Sequence, residues 1–259
     1  MDYQDIEYVV LNKVATITLN RPDSSNAMTV RMLEELNQAF TAARDTVDVR
    51  VIVLAGRGRN FCAGADLTDR DQRDKSVVDH LENDHGGVLK LIKTTPKPVI
   101  AAINGAAAGI GSAYALLCDL SVMAENAYVY EAFLPIGLIP DGGANWLLGR
   151  QLSYKRAYQM IIEGTKLDAA TCLDWGLTNK VVPADQLAVA VQEWAEQLAE
   201  KAPLAMGFAK EQLHASFQQS YEATISSEAR RQEVLLNSDD SREGVTAFFE
   251  KRPPRFTGT

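Results

Sequence analysis

Apolar and polar positions alternate with period two near the start of the chain. Over residues 6–20, β-branched Val14, Thr16 and Thr18 alternate with Ala15, Ile17 and Leu19. That pattern predicts two short strands around Asn12-Lys13, ended by Arg21-Pro22-Asp23. The period then changes. Met32, Leu33, Leu36 and Phe40 share one helical face behind a Thr29 cap. Residues 51–55 and 99–103 are continuous apolar runs, expected of strands buried on both faces, and residues 120–124 read as a further strand. Residues 67–86 are dominated by charge and predict a solvated, partly helical segment. Residues 134–143 form a Pro/Gly loop. Beyond Leu147 the pattern is mostly helical, most clearly over 193–201 and 205–236. The sum predicts an α/β protein, with a strand-and-helix core over residues 1–200 and a helical C-terminal region over 201–259.

Composition narrows the function classes. The chain of 259 residues is long enough to bury a core without disulfides or metals. A net charge of −8 argues against nucleic acid or an anionic membrane as partner, while leaving room for a small anionic ligand. Cys62, Cys118 and Cys172 are odd in number and show no C-x-x-C spacing, so reduced thiols and a cytoplasmic setting are expected. The acidic opening MDYQDIEYVV predicts no signal peptide, and no uncharged apolar run has the length of a membrane span. His80, His85 and His214 form no local ligand pattern, so no metal is expected.

Two glycine-punctuated turns carry the candidate chemistry. The first, residues 60–67, reads Asn-Phe-Cys-Ala-Gly-Ala-Asp-Leu. The second, residues 104–112, has Gly105, Gly109 and Gly111 with no bulky polar side chain, and leads into a helix. Glycine lets a backbone turn tightly and approach a ligand, and a helix start offers free N–H groups. Each turn alone is equally a plain strand-to-helix connection. Together they can aim two N–H groups at one oxygen, an arrangement in which each donor contributes about 3–4 kcal/mol to an oxyanionic transition state. Neither turn is the lysine-bearing phosphate loop.

With these residues the chain resembles the crotonase superfamily. The resemblance rests on F-C-A-G-A-D at 61–66, N-G-x-A-x-G-x-G at 104–111, C-D at 118–119, G-L-I-P-D-G-G at 137–143, W-G-L-x-x-x-V-V at 175–182 and E-G-V-T-A-F-F-E-K-R at 243–252. It implies a spiral of repeated ββα units, a helical trimerisation region at the C-terminus, and assembly as a trimer or a dimer of trimers. It implies an acyl-CoA thioester as substrate, so that coenzyme A is part of the substrate and no separate cofactor is needed. The thioester oxygen would accept from the amides of Ala65 and Ile110. Ala27, Ala63, Asp66 and Leu67 would line the CoA path, with the Ala63 backbone at the adenine, and Phe248 and Lys251 would reach it from the tail. The family often has a lysine or arginine just before residues 26–27, where this chain has Asp23; Arg21 or a charged loop residue would then meet the phosphates.

The family's hydratases use two glutamates, and those positions hold Ala113 and Phe133 here, neither of which can carry a proton. Asp141 remains, flanked by Leu138, Ile139 and Pro140, which would raise its pKa and make it a better base. By position alone it is also a fitting helix cap. Crotonase-type isomerases of phenylacetate breakdown are similar at I-P-D-x-G and at the closing F-T-G, and use an aspartate at this place. The resemblance therefore implies a 3-enoyl-CoA to 2-enoyl-CoA isomerase, or an isomerase of a phenylacetyl-CoA ring-epoxide. Other readings stay open: a hydratase with Asp141 and Glu131, a dehalogenase-like reaction with Asp141 as nucleophile and a histidine base, and a non-catalytic acyl-CoA- or RNA-binding homologue. Trp146 and Trp175 read as packing anchors.

Overall fold

The computed structural model describes residues 2–69 and 76–259. Strands β1 (Ile6–Leu11) and β2 (Val14–Leu19) pair antiparallel about Asn12 and Lys13, whose φ angles of 50° and 66° suit the tight turn between them. From β2 the sheet continues in parallel through β3 (Val51–Gly56), β4 (Val99–Ile103), β6 (Leu120–Ala124) and β9 (Lys180–Val182). Every residue of β4 is buried, as the unbroken apolar run requires.

A second, smaller sheet lies across the ends of these strands. It is built from β5 (Ala106–Ala108), β7 (Tyr128–Tyr130) and β8 (Lys166–Asp168). Cys62 extends it by bridging to Ala107. The chain repeats one unit: β4, β5, then α3 (Ile110–Leu117), followed by β6, β7, then α4 (Ala144–Gln151). Successive strand–strand–helix turns wind as a spiral, and the passage from β4 to β5 runs through Asn104-Gly105.

Helix α1 (Val30–Asp45) packs on β1 and β2; Thr29 caps it by accepting from the Met32 N–H at 3.1 Å. Helices α5 (Tyr154–Glu163) and α6 (Ala169–Asp174) lead to α7 (Leu187–Ala199), which lies across β2, β3, β4 and β6. Then come α8 (Pro203–Ser216), α9 (Tyr221–Leu236) and α10 (Asp239–Glu250). The helix expected over 205–236 is two helices, because Ser220 caps a new start by accepting from the Ala223 N–H.

The charged stretch is partly helical, as expected. Residues 70–75 lie outside the described residues. From Val77 the chain is helical: one α turn (Val77–Asp79), a π-helical turn (His80–His85), then α2 (Gly86–Thr94). Residues 76–79, Glu82 and Asn83 are exposed, as a solvated segment requires, but His80 and His85 are 5 % and 1 % exposed and point inward. The π turn closes i to i+5 and carries both histidines inward, a feature common at functional sites.

Candidate active site

The two glycine turns meet at the join between the sheets. The Cys62 N–H donates to Ala106 O at 3.0 Å, and the Ala108 N–H donates to Cys62 O at 2.8 Å. Gly64, at φ 105°, packs so closely on the second turn that a Cβ there would stand 3.1 Å from Ala108 O and 3.7 Å from Ile110 N. A Cβ on Gly111 would lie 2.7 Å from Cys62 O. Both positions therefore demand glycine for close approach.

This packing sets Ala65 and Ile110 on facing turns. Gly64 O accepts from Met28 and the Asp66 N–H donates to Met28 O, which fixes the backbone on either side of Ala65. Ile110 is the first residue of α3, behind Gly109 at φ 54°. Neither the Ala65 nor the Ile110 N–H has an acceptor among the described residues. Two unspent donors on adjoining turns are the chemical requirement for holding one oxyanion.

The Asp141 loop closes over α3. A Cβ on Gly142 would lie 2.8 Å from Ile110 Cγ1 and 2.9 Å from Ala113 Cβ, so the residue after Asp141 rests directly on the helix start. Asp141 does not cap α4 with its side chain; Gly143 is the cap residue, and Asp141 offers only its backbone oxygen, to the Ala144 N–H. Its Oδ1 is buried without a hydrogen-bond partner. Burial pushes its carboxyl up to about 6, against the opposing charge of His80. Leading into it, Ile136, Leu138 and Ile139 are exposed and form an apolar approach.

Of three groups near Asp141, Glu131 is the carboxylate already weighed as its partner in a hydratase, while the places of Ser112 and His80 were not legible in the sequence. Glu131 is fully buried, with Oε2 unpartnered. Burial pushes its carboxyl up to about 7, offset by the Ser112 hydrogen bond and reinforced by the charge of Asp141. Ser112 Oγ lies 2.7 Å from Glu131 Oε1 and 2.7 Å from Gly109 O. His80 places Nδ1 2.7 Å from Asp84 Oδ2 and leaves a buried Nε2 unpartnered. Its ring meets His85 edge-on at 4.7 Å, and His85 Nδ1 lies 3.2 Å from Tyr114 Oη. Burial, then the charge of His80, pulls His85 down to about 3, so it is neutral at ordinary pH. A signal for Glu131 exists in sequence: Val129 and Glu131 are buried while Tyr128 and Tyr130 are partly exposed, the period-two alternation of a strand edge. The histidines' spacing of five follows only from the π turn.

Ala113 is fully buried and Phe133 nearly so, in a turn rather than extended backbone. The expected CoA path is mixed. Ala63 and Leu67 are exposed on the first turn. Asp66 is buried, its carboxylate held by Arg21 Nη1 at 2.9 Å and by Thr68 Oγ1 at 2.6 Å. Arg21 also donates to Ala27 O, so its guanidinium is engaged next to Ala27 rather than free for phosphates. Phe248 is 78 % exposed near the end of α10, its ring against Phe249, and Lys251 follows that helix. Burial pushes the Cys62 thiol up to about 12, which removes it as a nucleophile. Two surface cavities, of about 570 and 480 Å³, lie near the starting ends of β3 and β4 and contain neither glycine turn. Among the described residues no group of three His, Cys, Asp or Glu side chains could hold a metal, and no helix is long and apolar enough to cross a membrane.

Residues 10–259 match the family model described as enoyl-CoA hydratase/isomerase. The chain belongs to that family. It is 39 % identical over 258 residues, covering all of both chains, to a probable enoyl-CoA hydratase of Rhodobacter capsulatus. It is 35 % identical over 249 residues, 95 % of each chain, to the 1,2-epoxyphenylacetyl-CoA isomerase of Escherichia coli. The solved enoyl-CoA hydratase of Bacillus anthracis superposes with a TM-score of 0.94 at 32 % identity, over 99 % of this chain and 100 % of that one. The α/β architecture is thus the crotonase fold, and the chain is an enzyme of a family acting on acyl-CoA thioesters.

Proposed function

We propose that this enzyme is an acyl-CoA isomerase that moves a double bond from the 3 to the 2 position, with Asp141 as its single base. The observation that carries the reading is Asp141 itself: a half-buried carboxylate with a buried, unpartnered oxygen, next to Gly142, which packs on Ile110 and Ala113, where Ala113 and Phe133 would stand in place of the two-glutamate apparatus. The thioester oxygen accepts from the Ala65 and Ile110 N–H groups, which acidifies the C2 hydrogens. Asp141 takes a proton from C2, the charge moves onto the oxygen as a dienolate, and the same carboxyl returns the proton to C4. A base of this kind contributes roughly 10²- to 10⁴-fold, and each amide about 3–4 kcal/mol. Its raised pKa keeps Asp141 mostly ionised at neutral pH yet basic enough to accept a carbon acid's proton. Similarity to 1,2-epoxyphenylacetyl-CoA isomerase supports an aromatic ring-epoxide as a second substrate class.

Ala27, Ala63 and Leu67 line the CoA path in this reading, Asp66 through its backbone, with Phe248 and Lys251 brought in by the tail. The exposed Phe217, Tyr221, Leu236, Phe248 and Phe249 of the helical region favour a homo-oligomer, a trimer or a dimer of trimers. A hydratase reading keeps one supporting observation: Glu131 and Asp141 feel each other's charge and could act as a pair. The test is turnover of 3-hexenoyl-CoA, read as the absorbance of the conjugated thioester, beside hydration of crotonyl-CoA. Fast conjugation that Asp141→Asn abolishes while CoA binding persists supports the isomerase. Unchanged conjugation in Asp141→Asn defeats it, and fast hydration lost in Glu131→Gln favours the carboxylate pair.

A further inference from the structure

Ser112 Oγ lies 2.7 Å from both Gly109 O and Glu131 Oε1, and the Ser112 N–H also reaches Gly109 O at 2.9 Å. A hydroxyl carries one hydrogen and cannot donate to both acceptors at full strength. Both short contacts of Ser112 Oγ carry a hydrogen only when Glu131 is protonated. Glu131 O–H then donates to Ser112 Oγ, and Ser112 O–H donates to Gly109 O. Gly109 C=O and Ile110 N–H belong to one peptide group. A donor on that carbonyl polarises the peptide and makes the N–H at its other end a stronger donor.

We propose that Glu131 and Ser112 are positioning residues for the oxyanion hole, a relay that strengthens the Ile110 N–H through the Gly109 carbonyl. The inference rests on the reading of Ile110 as a thioester donor, and not on Asp141 as the base. It explains why a fully buried glutamate stands one side chain away from the glycine turn without touching either free N–H. The groups that act on this relay are Asp141, whose charge raises Glu131, and His80 beyond it, whose charge acts on Asp141. When Glu131 ionises, the Ser112 hydrogen turns to the carboxylate and Gly109 O loses its hydroxyl donor, keeping only the Ser112 N–H. A cooperative gain of about 10–30 % on a donor whose removal costs 10²- to 10³-fold corresponds to roughly two- to eightfold in kcat.

The experiment measures kcat against pH for 3-hexenoyl-CoA in the wild type, Ser112→Ala and Glu131→Gln. In the wild type kcat falls by that two- to eightfold factor to a lower plateau as pH rises through about 7, where Glu131 titrates. Above the acid limb set by Asp141, Ser112→Ala stays on the lower plateau through pH 7, and Glu131→Gln, which keeps a donor to Ser112, stays on the upper plateau with no step there. A step that persists in Glu131→Gln, or a Ser112→Ala kcat equal to wild type, overturns the relay. A second readout needs no turnover: in an Asp141→Asn background, the absorption of bound 2,4-hexadienoyl-CoA moves to longer wavelength as its carbonyl is polarised. A shift that Ser112→Ala reduces supports the relay even if Asp141 is not the base. A shift that Ser112→Ala leaves intact overturns the relay alone, and no shift in any variant overturns the oxyanion hole and the relay together.

Discussion

Gly142→Ala perturbs the proposed base and the proposed oxyanion hole with one methyl group. Gly142 has a φ of 59°, and its added Cβ would stand 2.8 Å from Ile110 Cγ1 and 2.9 Å from Ala113 Cβ. Carbon atoms rest at about 3.5–4.0 Å, so the loop or the helix start must yield by roughly 0.7–1 Å. Left-handed backbone at a non-glycine residue costs about 1–3 kcal/mol, and overpacking a further 1–3 kcal/mol. At roughly 2–4 °C per kcal/mol for a domain of this size, melting should fall by about 5–20 °C. The rate should fall further than stability implies. Yielding by the loop carries Asp141 away, and yielding by the helix moves the Ile110 N–H. A displacement near 1 Å costs about 10²-fold in rate. The assay is kcat and KM for 3-hexenoyl-CoA at a temperature well below the melting point of both proteins, with melting followed by circular dichroism. A variant that melts lower yet keeps wild-type kcat would refute the reasoning, because it would show that the Asp141 loop can move without consequence for the chemistry.

Two further outcomes follow from the buried charges. The charge of His80 lowers the Asp141 pKa, so His80→Gln should raise it and move the acid limb of kcat/KM to higher pH; an unmoved limb would show that His80 does not govern Asp141. Glu131 has its folded pKa raised from 4.5 to about 7, so its contribution to stability is full below pH 4.5 and is lost as pH rises through 7, amounting to about 3 kcal/mol at pH 8.5. Urea unfolding at the two pH values should show that loss in the wild type and not in Glu131→Gln; parallel behaviour would mean that Glu131 titrates normally.

Much of the scaffold was legible because its signals are local. Alternation at Val14–Leu19, the Thr29 cap and the apolar run at Val99–Ile103 each dictate an element without help from the rest of the chain. The glycine turns were legible as turns, and Asp141 as a candidate, because close approach and positive φ leave a mark in sequence. The three-residue strands β5, β7, β8 and β9 were not, since a period cannot be read from three positions; their partners decide them. The histidines were hidden for a related reason. Polar residues among charges suggest solvent, and only the π turn and its packing against Tyr114 take His80 and His85 inside.

Asp141, Glu131 and the His80–Asp84 pair belong to one electrostatic unit, and that bears on which reaction the site favours. A hydratase must hold a water between two groups that exchange protons with it. Here one carboxyl, Glu131, has an oxygen on Ser112 and through it on the oxyanion turn, so using it as an acid would disturb the hole that stabilises the enolate. Phe133, 6 % exposed, is an apolar ring where the motif resemblance would place the family's second glutamate. Asp141 is left as the carboxyl whose change of protonation leaves the Ile110 peptide undisturbed. A single base that gives back the proton it takes is sufficient for an allylic shift, with no second group to place a water. The experiment that separates the two is therefore the ratio of conjugation to hydration in Glu131→Gln. A higher ratio with conjugation intact fits a relay residue, whereas loss of both activities would mean that Glu131 itself handles the substrate's proton.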